Sequence, residues 1–322
     1  MNVRPFLLML AAMSVAAPAF EASAAYPESP IKLIVAYGQG GSTDVSARML
    51  APYIAKYLGG GAVVEVENKT GGGGEVGFAL TADSPKDGYT IGFINAPPIV
   101  AIPIERDARY KLSGLAPLAK IVDDQSVVVV HKESGITSVK DLVAAAQASP
   151  GKIACGSTGI GSDDHLAMLE LQRQSKVRFT HVPLAGSKEN IEAIAGQKIK
   201  CSFLNVSEAL AGLKEGKPLH VVGVMAPDRL PEMPDTPTFK EQGFSINMAA
   251  QRGIAAPAGL PAEIQAKLAD AVLKAANDPE FQAKAKEAFL PLNIKGAEEY
   301  GRELKAAEET FRGLWAESPW SK

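Results

Sequence analysis

Two loops carry the residue types best suited to chemistry: Gly38-Gln39-Gly40-Gly41-Ser42-Thr43-Asp44 and Gly156-Ser157-Thr158-Gly159-Ile160-Gly161-Ser162. Each sets glycines and small hydroxyl residues between an apolar strand pattern and a helix pattern. A helix start offers backbone N–H groups that have no intrahelical acceptor, together with the positive end of the helix dipole. Such a loop attracts an anion without a lysine or arginine. Ser162, followed by Asp163 and Asp164, also reads as a helix N-cap. Asp44 reads equally well as a brace for its own helix, because a carboxylate aimed at an anionic ligand would repel it.

The same residues exclude several kinds of chemistry. Gly38-x-Gly40 follows a strand, and Glu65 or Glu67 closes the next one, but Thr43 occupies the third glycine position of a dinucleotide loop. The run Gly71 to Gly74 lacks the Lys-Ser/Thr of a phosphate-binding P-loop. Cys155-Gly156-Ser157-Thr158-Gly159 lacks the first glycine of a nucleophile elbow, and His131, His165, His181 and His220 fit no zinc-protease spacing. Those histidines read as structural and Asp123-Asp124 as solvated turn residues. No cofactor or metal is implied, and no catalytic residue is nominated.

Strand and helix patterns alternate around both loops. Strands at Ile31–Val35, Ala62–Glu67 and Thr90–Asn95 enclose helices at Thr43–Leu58 and near Glu75–Ala82. The rhythm restarts with strands Val127–Val130, Lys152–Cys155, Phe179–Val182 and Cys201–Leu204 and helices Ser138–Gln147, Ser162–Gln174 and Glu189–Ala195. This is an α/β pattern of parallel strands flanked by helices, made twice. Strand Val221–Met225 is followed by a loop punctuated by Pro231, Pro234 and Pro237. After "RGIAAPAG" the chain reads as purely helical, with Pro261–Asn277 and Ala297–Trp315 returning to the first half. Domain 1 is thus expected to be discontinuous, 26–124 plus 248–322, with domain 2 at 125–247 and crossovers near residues 122–127 and 246–252.

Residues 1–25 read as a cleaved signal peptide: Arg4 precedes an apolar run from Phe6 to Phe20, and Ala22-Ser23-Ala24 and Ser23-Ala24-Ala25 fit the small-x-small cleavage pattern. The run is shorter than the ~18–20 residues that span a bilayer, so a membrane anchor is the weaker reading. The formal net charge of −3 gives no polyanion-binding surface, so no nucleic-acid partner is expected. An oxidising compartment would permit Cys155 and Cys201 to bridge; two buried free thiols are the favoured alternative, because adjacent parallel strands rarely meet disulfide geometry.

The segments "YPESPIKLIVAYGQGGSTDVSARMLA", "VENKTGGGGEVG", "SPKDGYTIGF", "GSTGIGSDDHLAMLEL", "PDTPTFKEQGF" and "RGIAAPAGLP" occur in the order found in Bug-type receptors. The mature chain therefore resembles the periplasmic solute-binding receptors of tripartite tricarboxylate transporters. The resemblance implies a two-lobed, type II-like periplasmic binding protein with no enzymatic activity. Its ligand would be a small organic carboxylate held between the lobes, and its partner the membrane permease subunits of the transporter. It further implies a periplasmic monomer.

On that basis the candidate ligand contacts are Tyr37, Gln39, Gly40, Gly41, Ser42, Thr43, Asp44 and Asn95 in the first lobe and Thr158, Gly159, Gly161, Ser162 and Asn205 in the second. The chain departs from the family pattern at Ala36, Gly38 and Gln39, where prolines are common, and at Leu184, Lys200 and Gln251. A periplasmic enzyme or a ligand sensor acting on a small carboxylate are the two rival readings.

Overall fold

The structure, a computed structural model, describes residues 26–317 and Pro319; the expected leader lies outside the described residues. The first strand, β1 (Ile31–Val35), leads through the first glycine loop into α1 (Ser42–Leu58). Ala47, Leu50, Ala51, Ile54 and Leu58 recur at helical spacing and are buried, which fixes the face that α1 turns to the sheet. Next come β2 (Val64–Asn68), α2 (Glu75–Ala82), β3 (Thr90–Ala96) and α3 (Pro98–Glu105). The long β4 (Leu115–His131) then enters the second lobe.

That lobe contains α4 (Val139–Ala148), β5 (Ala154–Ser157), α5 (Asp163–Ser175), β6 (Thr180–Pro183) and α6 (Ser187–Ala195). It continues with β7 (Cys201–Asn205), α7 (Val206–Lys214) and β8 (Leu219–Val224). The chain returns along β9 (Ala249–Pro257) and ends with α8 (Ala262–Ala276), α9 (Pro279–Glu287), β10 (Leu292–Gly296) and α10 (Ala297–Glu317).

The strands form one path, β2-β1-β3-β9-β4-β7-β5-β6, with β8 and β10 also pairing β4. Parallel pairs β1·β2, β1·β3, β5·β6 and β5·β7 lie toward the ends of the path, and the long strands β4 and β9 run antiparallel through the middle. β4 pairs β9 as far as Gln125↔Ala249, then changes partner at Ser126↔Asn205 to pair β7. β4 therefore exchanges β9 for β7 as its neighbour between Gln125 and Ser126. Val127 to Val130 are buried on both faces, each side chain contributing roughly 1.5–3 kcal/mol, which explains an apolar run with no alternation.

The C-terminal helices pack on the first lobe, α8 through Leu268, Ala271 and Val272 and α10 through Tyr300, Leu304 and Phe311. The terminal segment is not purely helical, because β10 pairs β4 antiparallel. Its residues Leu292–Gly296 are all half-buried, so no alternation marks them in the sequence. Helix α3 was hidden by prolines: Pro98 stands in its first turn, where a missing N–H costs nothing, and Pro103 lies inside it.

The cysteines correct a second expectation. Cys155 and Cys201 face each other in register on β5 and β7, with Cα atoms 4.6 Å apart, and form a disulfide instead of two free thiols.

Candidate functional site

The ends of β1, β3, β5 and β7 point toward one region between the lobes, where the helices that follow them begin. This is the usual ligand position in open α/β sheets. A cleft of about 510 Å³, open to solvent, lies there. Tyr37, Gln39, Gly41, Ser42, Thr43 and Asn95 line it from the first lobe, and Thr158, Ser162 and Asn205 from the second. These nine sequence candidates are brought together.

Gly40, Asp44, Gly159 and Gly161 stand outside that lining, and their hydrogen bonds and backbone angles shape the two loops. Asp44 Oδ2 accepts the Gly40 N–H at 2.8 Å, and its Oδ1 accepts from Asn68 at 2.9 Å and pairs with Arg48 at 3.0 Å. Burial would raise its pKa, but these hydrogen bonds outweigh burial and hold the carboxyl below its usual range. Asp44 therefore braces the loop, whose turn needs Gly40 at φ +81°. Gly161, at φ +79°, gives its N–H to His165 Nδ1 at 3.1 Å, and the Gly159 carbonyl accepts from Ser162 Oγ at 2.8 Å.

The hydroxyls are more committed than the sequence suggests. Ser162 Oγ also accepts the His165 N–H at 3.2 Å, so it caps α5. Thr158 Oγ1 donates to Asp164 at 2.6 Å. Ser42 Oγ donates across the cleft to Glu208 Oε1 at 2.6 Å, a direct link between lobes. Thr43 Oγ1 accepts from Asn95 Nδ2 at 3.0 Å.

What remains open is backbone. Gly41, the N-cap of α1, has no side chain to close the helix, and Gly186, the N-cap of α6, leaves that helix uncapped too. Gly41, Ser42, Thr43, Gly186 and Ser187 all line the cleft. First-turn N–H groups and two helix dipoles from opposite lobes therefore meet in one space, which suits a carboxylate.

Behind them lies a charged cluster that sequence reasoning missed. Arg252 of β9 is 2 % exposed; its Nη1 donates to Asp124 Oδ2 at 2.9 Å, and its Nη2 to Asn205 Oδ1 at 2.9 Å, with Glu208 Oε1 at 3.7 Å. Asp163 Oδ2 accepts from Asn205 at 2.7 Å and Ser126 at 3.0 Å. Asp124, expected in a solvated turn, is fully buried inside β4, where Ser207 also donates to it. A lone arginine inside the apolar segment "RGIAAPAG" was the available signal, since a buried arginine requires acidic partners. Arg252, Asp163, Glu189 and Glu208 line the cleft with the nine.

One cation thus faces several acids. Burial raises the carboxyls of Asp163 and Glu208; burial, and then the charges of Asp163 and Glu208, hold Asp164 well above the usual range. Burial would lower Arg252, but Asp124 and Glu208 more than compensate and raise it. The stacked rings of His165 and His181, 4.2 Å apart, sit beside Ser157, and no group of side chains that could hold a metal occurs among the described residues.

A carboxyl raised on folding costs nothing below its unfolded pKa of about 4, where it is protonated in both states; the cost grows as pH climbs from there to its folded value and is constant above it. Asp164→Asn keeps an oxygen for the Thr158 N–H and hydroxyl but carries no charge. Its melting temperature should exceed that of the wild type at pH 7, and the gain should vanish near pH 3. A variant less stable than wild type at pH 7 would contradict the assignment.

Fold and cleft together define a two-lobed solute-binding protein. Residues 46–300 match the family described as the tripartite tricarboxylate transporter family receptor, TctC, and the chain belongs to that family. It is 32 % identical over 274 residues to the UPF0065 protein in the gbd 5′ region of Cupriavidus necator, covering 84 % of this chain and 82 % of that one. It is 31 % identical over 240 residues to protein BugT of Bordetella pertussis, covering 74 % and 72 %. The solved structure of the periplasmic binding protein BugD superposes with a TM-score of 0.84 at 25 % identity, over 91 % of this chain and 98 % of BugD. The family is one of binding receptors, not of enzymes, and no helix among the described residues is long and apolar enough to cross a membrane.

Proposed function

We propose that the chain is an exported periplasmic receptor that captures a small organic carboxylate in this cleft and delivers it to the permease of a tripartite tricarboxylate transporter. The observation that carries the reading is the pair of uncapped helix starts, α1 from one lobe and α6 from the other, lining the same space. A ligand that spans both gains its full set of contacts only when the lobes are closed, which gives the differential affinity that closure requires. On this reading the lobes are 26–124 plus 248–322 and 125–247, the crossovers at Gln125/Ser126 and Met248/Ala249 are the hinge, and the protein works as a monomer after losing residues 1–25. Membership of the TctC family supports the permease partner.

The test is a thermal-shift screen of mono-, di- and tricarboxylates and aromatic acids. A true ligand at a hundred times its dissociation constant adds about 2.7 kcal/mol of stability. A saturable rise in melting temperature with at least one carboxylate is expected. No shift with any of them, while a ligand without a carboxyl group does shift the melt, would remove the reading.

A further inference from the structure

Two chemically different sets of groups line the cleft. The uncapped starts of α1 and α6 supply N–H donors. The polar side chains beside them are mainly acceptors. Asn95 is 7 % exposed and lines the cleft; its Nδ2 is engaged by Thr43, but its Oδ1 is buried without a partner. Asp163 also lines the cleft, and both of its hydrogen bonds, from Ser126 and Asn205, fall on Oδ2, leaving Oδ1 without one. Glu208 completes the set, with Oε1 on Ser42 and Oε2 on the Asn205 N–H at 3.0 Å. A buried acceptor with no donor costs free energy, and buried carboxylates in excess of cations cost more, unless something else brings protons and positive charge.

Arg252 does not supply that charge. Its guanidinium is already matched by Asp124 at 2.9 Å and Glu208 at 3.7 Å. Its buried Nε has no partner and offers a hydrogen bond, but not an unopposed cation. A second ligand carboxylate placed here would meet Asp163 and Glu208 at short range.

We propose that the ligand is a zwitterion, a small carboxylate bearing a protonated amine, with the carboxylate on the α1 and α6 starts and the ammonium on Asn95 Oδ1, Asp163 and Glu208. This rests on the carboxylate reading above and narrows it. Asn95 is hydrogen-bonded to Thr43, whose N–H lies in the α1 start, so an amine close to the carboxylate, as in an α-amino acid, fits best. The direction in which burial moves Asp163 and Glu208 agrees, since a bound ammonium would favour their ionised forms.

The experiment is calorimetric titration of the full mature chain with the twenty protein amino acids and 4-aminobutyrate. Each binder is then compared with its des-amino acid and with the dicarboxylate in which a carboxyl replaces the amine. The amine-bearing member should bind at least about tenfold tighter than both, the effect of losing a hydrogen bond to a charged group being about tenfold to a hundredfold. Asp163→Asn should narrow that ratio by at least about tenfold. Glu208→Gln and Asn95→Ala provide the same readout if Asp163→Asn melts abnormally. A des-amino acid or dicarboxylate that binds as tightly as its amine partner, or binding of carboxylates with none among the amines, overturns the zwitterion proposal and leaves the carboxylate receptor standing. Simple alkylamines that bind as tightly as the amino acids would instead overturn the carboxylate reading itself.

Discussion

Replacing Arg252 by alanine is expected to destabilise the protein by about 3–5 kcal/mol, the usual cost of removing one partner from a buried ion pair. The cost arises less from the lost bonds than from what remains. Asp124 would keep a fully buried carboxylate with only Ser207 as donor, and Asn205 Oδ1 would lose its donor. Arg252→Lys should fall between wild type and alanine, because a lysine carries the charge but cannot bond Asp124 and Asn205 at once. Adding Asp124→Asn to Arg252→Ala should recover part of the loss, since it removes the stranded charge. Urea denaturation of the four proteins measures this. An alanine variant as stable as wild type would mean that the cluster is solvated, contrary to its burial.

Loss of the disulfide should be nearly as large. Cys155 and Cys201 are 46 residues apart, and closing a loop of that size removes chain entropy worth on the order of 4 kcal/mol from the unfolded state. The protein denatured without reductant should show no free thiol, and the Cys155→Ala/Cys201→Ala double variant should melt well below the oxidised wild type. Two titratable thiols in denatured, unreduced protein would contradict the bridge.

These two features were also the hardest to read in the sequence. The strand and helix rhythm around both glycine loops was legible because it depends on local periodicity. The Arg252–Asp124 pair joins residues 128 positions apart, and the excess of acid around it exists only once β4, α5, α7 and β9 are assembled. The cysteines were judged by how rarely neighbouring parallel strands are bridged, whereas register places these two opposite each other.

The loop residues divide the same way. Composition correctly marked two helix starts, and it could not say which hydroxyls were already spent. Ser162, Thr158 and Ser42 each hold a hydrogen bond inside the protein, and Asp44 turned out to brace Gly40. The open donors are N–H groups that any residue carries, so no side-chain pattern reports them. What the sequence supplied was the glycine at each N-cap, Gly41 and Gly186, of which only the first was singled out.

A crystal structure of the mature protein with the tightest-binding carboxylate from the screen would show whether the ligand carboxylate sits on the start of α1, between the lobes. The expected result is a carboxylate with its oxygens within hydrogen-bonding distance of the Ser42 or Thr43 N–H and in contact with the second lobe at Ser187 or beyond. A ligand bound elsewhere, or held by one lobe with those N–H groups left to water, would contradict it.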